Sequence, residues 1–115
     1  MKSRVFVVQD TSLNLAKATR FGELEALLPR NITITMQPDS ILAELRRRLR
    51  EFTSDDYLLL TGDPLAIALA VTAAGAANEG IVTVLKWDRE LGDYYPVRVD
   101  LYVQQPDIHE DTQPY

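Results

Sequence analysis

The chain has 115 residues and a mass of 13.0 kDa, which suits one domain with a workable core and is short for two. It contains no cysteine, which excludes a disulfide scaffold, thiol catalysis and any Cys-ligated metal. The single histidine, His109, lies in the polar tail, which argues against a His-based triad and, within one chain, a multi-His metal site, and a net charge of -5 argues against nonspecific nucleic-acid binding.

Charge is unevenly placed: Asp107, Glu110 and Asp111 fall in the last ten residues, so the remainder is close to balanced. The expected organisation is one α/β domain over residues 1–105 and a flexible acidic tail over 106–115. The apolar run Val5–Val8 is too short for a signal peptide, and Leu65–Ala77 is too short and Ala-rich to span a bilayer. A soluble, cytoplasmic protein with no membrane partner is expected.

In chain order, Arg4–Val8 is β-branched and aromatic and predicts a strand ending near Asp10. Residues 10–20 read as a polar connection without a clean period. Phe21–Leu28, opened by Gly22 and closed by Pro29, reads as a strand, although Leu24, Leu27 and Leu28 also suit a helix. Asn31–Met36 alternates Ile32, Ile34 and Met36 against two threonines, the pattern of a hairpin arm or extended edge segment. Residues 38–52 form the clearest helix, with Asp39 or Ser40 as cap and Ile41, Leu42, Leu45, Leu49 and Phe52 along one face.

Tyr57–Leu60 is continuously apolar, as in a strand covered on both faces. A second helix begins at Pro64 with Asp63 as its cap, and its small apolar residues predict deep packing. Ile81–Trp87 and Tyr94–Val103 then read as an antiparallel hairpin, the latter alternating Tyr95, Val97, Val99 and Leu101 against Tyr94, Arg98 and Asp100. The fold class is α/β: a single-domain, mixed and mostly parallel sheet of four to five strands, two main helices and a C-terminal β-hairpin. With both helices on one face, the other needs cover from the irregular N-terminal third or a second copy.

Four groups of residues could carry chemistry. Thr61, Gly62 and Asp63 sit between a strand and a helix, where open α/β sheets hold ligands. Asp63 and Pro64 nevertheless fill the helix start themselves, and no glycine-rich phosphate motif or following lysine is present. Asp10, Asp63 and Asp88 would emerge at one sheet edge if their strands run parallel, and three carboxylates there could hold Mg²⁺ for phosphoryl chemistry. Each also suits an ordinary turn, so no cofactor is expected and Mg²⁺ is the alternative.

Trp87 and Arg89, with Tyr94, Tyr95 and Tyr102, give the hairpin an aromatic surface suited to a protein interface. The bland reading of Trp87 is a half-buried residue finishing the core beside a turn. Arg46, Arg47 and Arg50 could form a nucleic-acid face on the first helix; Glu44 and Glu51 beside them suggest a solvated surface instead.

The blocks at residues 55–64 ("DDYLLLTGDP") and 85–96 ("LKWDRELGDYYP"), separated by an Ala-rich helix, resemble small proteins of unassigned function encoded by tailed bacteriophages. The resemblance spans roughly 80 residues. It implies an accessory phage protein acting in the cytoplasm of the infected bacterium and carries no catalytic residue. The expected function is non-enzymatic binding to a host or phage protein, with a homodimer as one arrangement. The alternatives are a small-ligand, nucleotide or Mg-dependent phosphoryl-processing site at the sheet edge, and a nucleic-acid binder through Arg46, Arg47 and Arg50.

Overall fold

The computed structural model describes residues 3–104; the tail expected over 106–115 lies outside the described residues. Five strands form one sheet in the order β2-β1-β3-β4-β5. They are β1 (Arg4–Gln9), β2 (Glu23–Leu28), β3 (Tyr57–Leu59), β4 (Ile81–Asp88) and β5 (Asp93–Asp100). The first four run parallel and β5 is antiparallel to β4. The α/β class, the mixed sheet and the terminal hairpin all match expectation.

Helices α1 (Pro38–Arg48) and α2 (Pro64–Ala77) pack on one face. Phe6, Val8, Leu58, Val82 and Val84 meet Ile41, Leu45 and the buried alanines of α2 there. The opposite face carries Val5, Val7, Leu59 and Leu85, covered by a 3₁₀ helix (Ala16–Phe21) through Ala18, Leu15 and Phe21. The polar N-terminal connection therefore covers that face without a second copy. Strand alternation explains β3: Leu58 enters one core and Leu59 the other.

Local expectations fail in five places. Asn31–Met36 forms no strand; Ile34–Met36 is a 3₁₀ turn with Ile34 buried and Met36 exposed. Alternation alone does not make a strand without a neighbour to pair with, and here the chain must climb from β2 to α1. The cap of α1 is Gln37, with no side-chain hydrogen bond, because Pro38 takes the first helical position ahead of Asp39 and Ser40. That helix ends at Arg48; Leu49 and Phe52 still reach the core from the following turn.

The hairpin partition is also only half right. Tyr95, Val97 and Val99 share the helix-side face of β5, yet Tyr94 is not turned to solvent, because it packs against the core on the other face. Strand β5 stops at Asp100, and Leu101 folds back so that its Cδ1 lies 2.5 Å from where a Cβ on Gly75 of α2 would stand.

The bottom of the sheet is tied by a buried carboxylate absent from the sequence-level candidates. Asp56 accepts hydrogen bonds from Arg4 N (3.1 Å), Arg4 Nη2 (3.0 Å), Thr53 N (2.8 Å) and Thr53 Oγ1 (3.0 Å). Burial pushes its pKa up, but the Arg4 hydrogen bond, both Thr53 donors and the Arg4 charge outweigh that, and the carboxyl sits below its ordinary value.

Candidate functional site at the carboxyl ends of the strands

In the order 2-1-3-4-5, connections leave the sheet in opposite directions from β1 and β3, and the crevice between their carboxyl ends is where doubly wound sheets hold ligands. Here that crevice is filled by the protein's own Gln9, which is buried. Its Nε2 donates to the carbonyls of Pro29 and Arg30, both at 3.2 Å, and its Oε1 accepts from Asp63 N at 2.9 Å. Gly62 has φ +93°, and a Cβ there would overlap the Gln9 side chain. The backbone of the Thr61–Asp63 turn thus closes over Gln9. Asp63 caps α2 through Leu65 N at 2.8 Å, as its sequence position implies.

The three edge aspartates serve separate purposes. Asp10 pairs with Arg30 at 3.3 Å, Asp63 caps α2, and Asp88 Oδ1 accepts from Glu90 N and Leu91 N in the hairpin turn. Among the described residues no three His, Cys, Asp or Glu side chains lie close enough to hold a metal ion. The parallel strands do bring them to one edge, but not to one point.

The open feature lies one strand further on. Thr61 Oγ1 accepts from Gln9 N (3.1 Å) and donates to Gln9 O (2.6 Å), which draws the end of β3 toward β1. The ladder between β3 and β4 ends at Leu59–Leu85, whereas β4 remains paired with β5 up to Asp88–Asp93. The strands fork, and a cavity of about 510 Å³ occupies the fork. Leu59, Leu85 and Leu15 form its floor, and Leu13, Trp87 and Tyr94 its walls.

Trp87 and Tyr94 meet edge to face at 4.9 Å between ring centroids, a favourable aromatic geometry. Burial raises the Tyr94 phenol pKa above its ordinary value. The hairpin is held in place by the 3₁₀ helix: Lys17 Nζ donates to Gly92 O (2.6 Å), and Arg20 Nη2 to Tyr94 O (2.8 Å) and Asp93 (3.2 Å). The rim stays apolar and exposed, with Leu13 at 70% and Trp87 at 47% exposure, and Leu91, 74% exposed, stands in the adjoining hairpin turn.

Of the expected interface residues, the fold brings Trp87 and Tyr94 together at this cavity. Tyr95 lies on the opposite sheet face, Arg89 is exposed in the turn, and Tyr102 packs over Gly80 at the other end of the hairpin. Thr61 lines the cavity; Gly62 and Asp63 do not. On α1, Arg47 pairs with Glu44, while Arg46 and Arg50 are exposed and Arg48 reaches away to β2. Gln9 and Leu13 escaped sequence reasoning. The available signal for Leu13 was its pairing with Leu15 inside an otherwise polar connection.

These features define a small open-sheet α/β protein with a sealed switch point and an exposed aromatic groove beside it. Residues 3–101 match the family model described as Phage Pam3 gp32-like protein, and the chain belongs to that phage family. No curated protein and no solved structure matches it. Both blocks that resemble tailed-phage proteins lie inside the matched span. Among the described residues no helix is long and apolar enough to cross a membrane.

Proposed function

We propose that this phage protein is a non-enzymatic accessory protein that works in the host cytoplasm by binding another protein through the Trp87 groove. The observation that carries this reading is the contrast between the two sites at the carboxyl edge. The switch point is filled by Gln9 with its amide satisfied, whereas the adjacent groove leaves Leu13 and Trp87 exposed around an apolar floor, with exposed Leu91 in the hairpin turn next to it. Large apolar side chains exposed together mark interaction surfaces more often than scattered ones do. Aromatic residues in such a patch supply most of the binding energy at typical interfaces.

The experiment is affinity capture from infected and uninfected host lysate with the parent protein and a Leu13→Asp/Leu91→Asp variant. Both substituted side chains are exposed, so the fold should survive, as circular dichroism will check. A partner retained by the parent and lost by the variant supports the reading; identical capture by both refutes it. Light scattering with the same pair tests whether the partner is a second copy.

A further inference from the structure

What the groove receives, on the reading just given, is set by the main chain of the hairpin. Proline at position 96 fixes the hydrogen-bond parity of the hairpin. Leu85 is paired with Pro96, which has no N–H, so this pair is of the non-hydrogen-bonded kind. Alternation then turns the main-chain groups of Leu85 and Trp87 away from β5 and toward β3. The same parity turns Tyr94 O outward, where Arg20 Nη2 binds it at 2.8 Å.

For Leu85, β3 supplies the partner; for Trp87 it does not, because the β3 ladder has ended. Among the described residues no other main-chain or side-chain group hydrogen-bonds Trp87 N or O. By the parity of the hairpin both groups point to the β3 side of β4, and Trp87 lines the cavity of the fork.

The outer edges of the sheet are, by contrast, guarded at particular points. On β5, Pro96 removes a donor and Arg20 covers the carbonyl of Tyr94. On β2, the Arg48 guanidinium reaches the carbonyls of Ala26 (3.0 Å) and Leu27 (3.4 Å) and pairs with Glu25 at 3.5 Å. Among the described residues the short overhang of β4 carries neither a proline nor a covering guanidinium, and it lies beside an apolar floor.

We propose that the fork binds an extended peptide segment of a partner protein. The peptide adds beside β4, pairing one residue's N–H and C=O with Trp87 O and N, and lays an apolar side chain on Leu59 and Leu85. Strand addition of this kind draws affinity from the main chain and selectivity from the pocket. Lys17 Nζ lies 5.9 Å from the Trp87 ring centroid, and Lys86 is among the residues lining the groove. The nearby carboxylates of Asp88 and Asp93 are engaged by the turn and by Arg20. An acidic residue beside the apolar one therefore complements the rim.

The test uses a yeast-displayed library of random linear dodecapeptides, selected on the parent protein and counter-selected on Leu13→Asp. The best binder is then synthesised with single N-methylations and titrated by Trp87 fluorescence. Methylation of the one residue whose N–H meets Trp87 O should weaken binding by about tenfold or more, roughly the loss of a well-made hydrogen bond with its partner left unpaired. Methylation of either neighbour should change it by less than about threefold. The Trp87 amide should exchange with solvent about tenfold more slowly in the complex. Equal losses at every methylated position, or no protection of the Trp87 amide, would overturn strand addition. So would a lysate partner that requires Leu13 and Leu91 while no linear peptide is enriched, an outcome that leaves the protein-contact reading standing.

Discussion

Replacing Gln9 with Leu tests whether the switch point is truly closed. The volume is nearly kept, so packing is not the main effect. What disappears is the amide, which makes three hydrogen bonds: two from Nε2 to the Pro29 and Arg30 carbonyls and one from Asp63 N to Oε1. At about 1 kcal/mol net for each, and with their partners left under an apolar side chain, the loss is about 3 kcal/mol. For a domain of this length that corresponds to about 10 °C in Tm. Urea unfolding followed by circular dichroism measures it directly. Gln9→Glu sharpens the test, because its carboxylate would face the same two carbonyls. Its folded pKa would be raised, so its stability should fall as pH rises above about 4.3, the ordinary value for glutamate. A Gln9→Leu loss below about 1 kcal/mol would mean that water already reaches these groups, and the argument for a sealed crevice would fail.

Asp56→Asn should destabilise by about 3 kcal/mol, since it breaks a buried pair with Arg4 and two Thr53 donors, measurable by the same unfolding assay. Because the folded Asp56 carboxyl lies below its ordinary value, its contribution is complete above about pH 4 and disappears as pH falls through the folded pKa; the variant should lose that part of the acid dependence. Gly62→Ala, which needs φ near +93° and meets the Gln9 side chain, should lose about 2 kcal/mol, and less when combined with Gln9→Ala. Arg46→Glu with Arg50→Glu should leave stability within about 0.5 kcal/mol. A matching absence of change in low-salt DNA titration is expected of a solvated face, and a loss of binding would revive the nucleic-acid reading.

The sequence carried the sheet because its strongest signals were local and periodic. Tyr57–Leu60 reads as a two-sided strand since alternation places Leu58 and Leu59 in different cores, and Asp63-Pro64 reads as a helix start since both residues act on their own first turn. Ile32, Ile34 and Met36 misled because strand formation depends on a neighbour, which sequence alternation does not supply. The candidate site was half legible. Trp87 and Tyr94 stood out as aromatic, whereas their cavity depends on Thr61 bonding across 52 positions to Gln9 and pulling β3 off β4. Gln9 itself was invisible, because a glutamine ending a strand becomes a plug only once two distant segments, at Pro29–Arg30 and Thr61–Asp63, close round it.

The position of β1 within the sheet has a consequence for how the protein is made. The strand is synthesised before both of its neighbours, yet it lies between β2 and β3, and Val5 and Val7 await Tyr57 and Leu59. At ordinary elongation rates of roughly 5–20 residues per second, that interval lasts about 3–10 s. Throughout it, Val5–Val8 has its later neighbour missing, and the helix-side face lacks the cover of α2. Chains interrupted before Tyr57 should therefore accumulate as insoluble or chaperone-bound fragments, whereas interruption after β4 leaves a sheet lacking only its outermost strand.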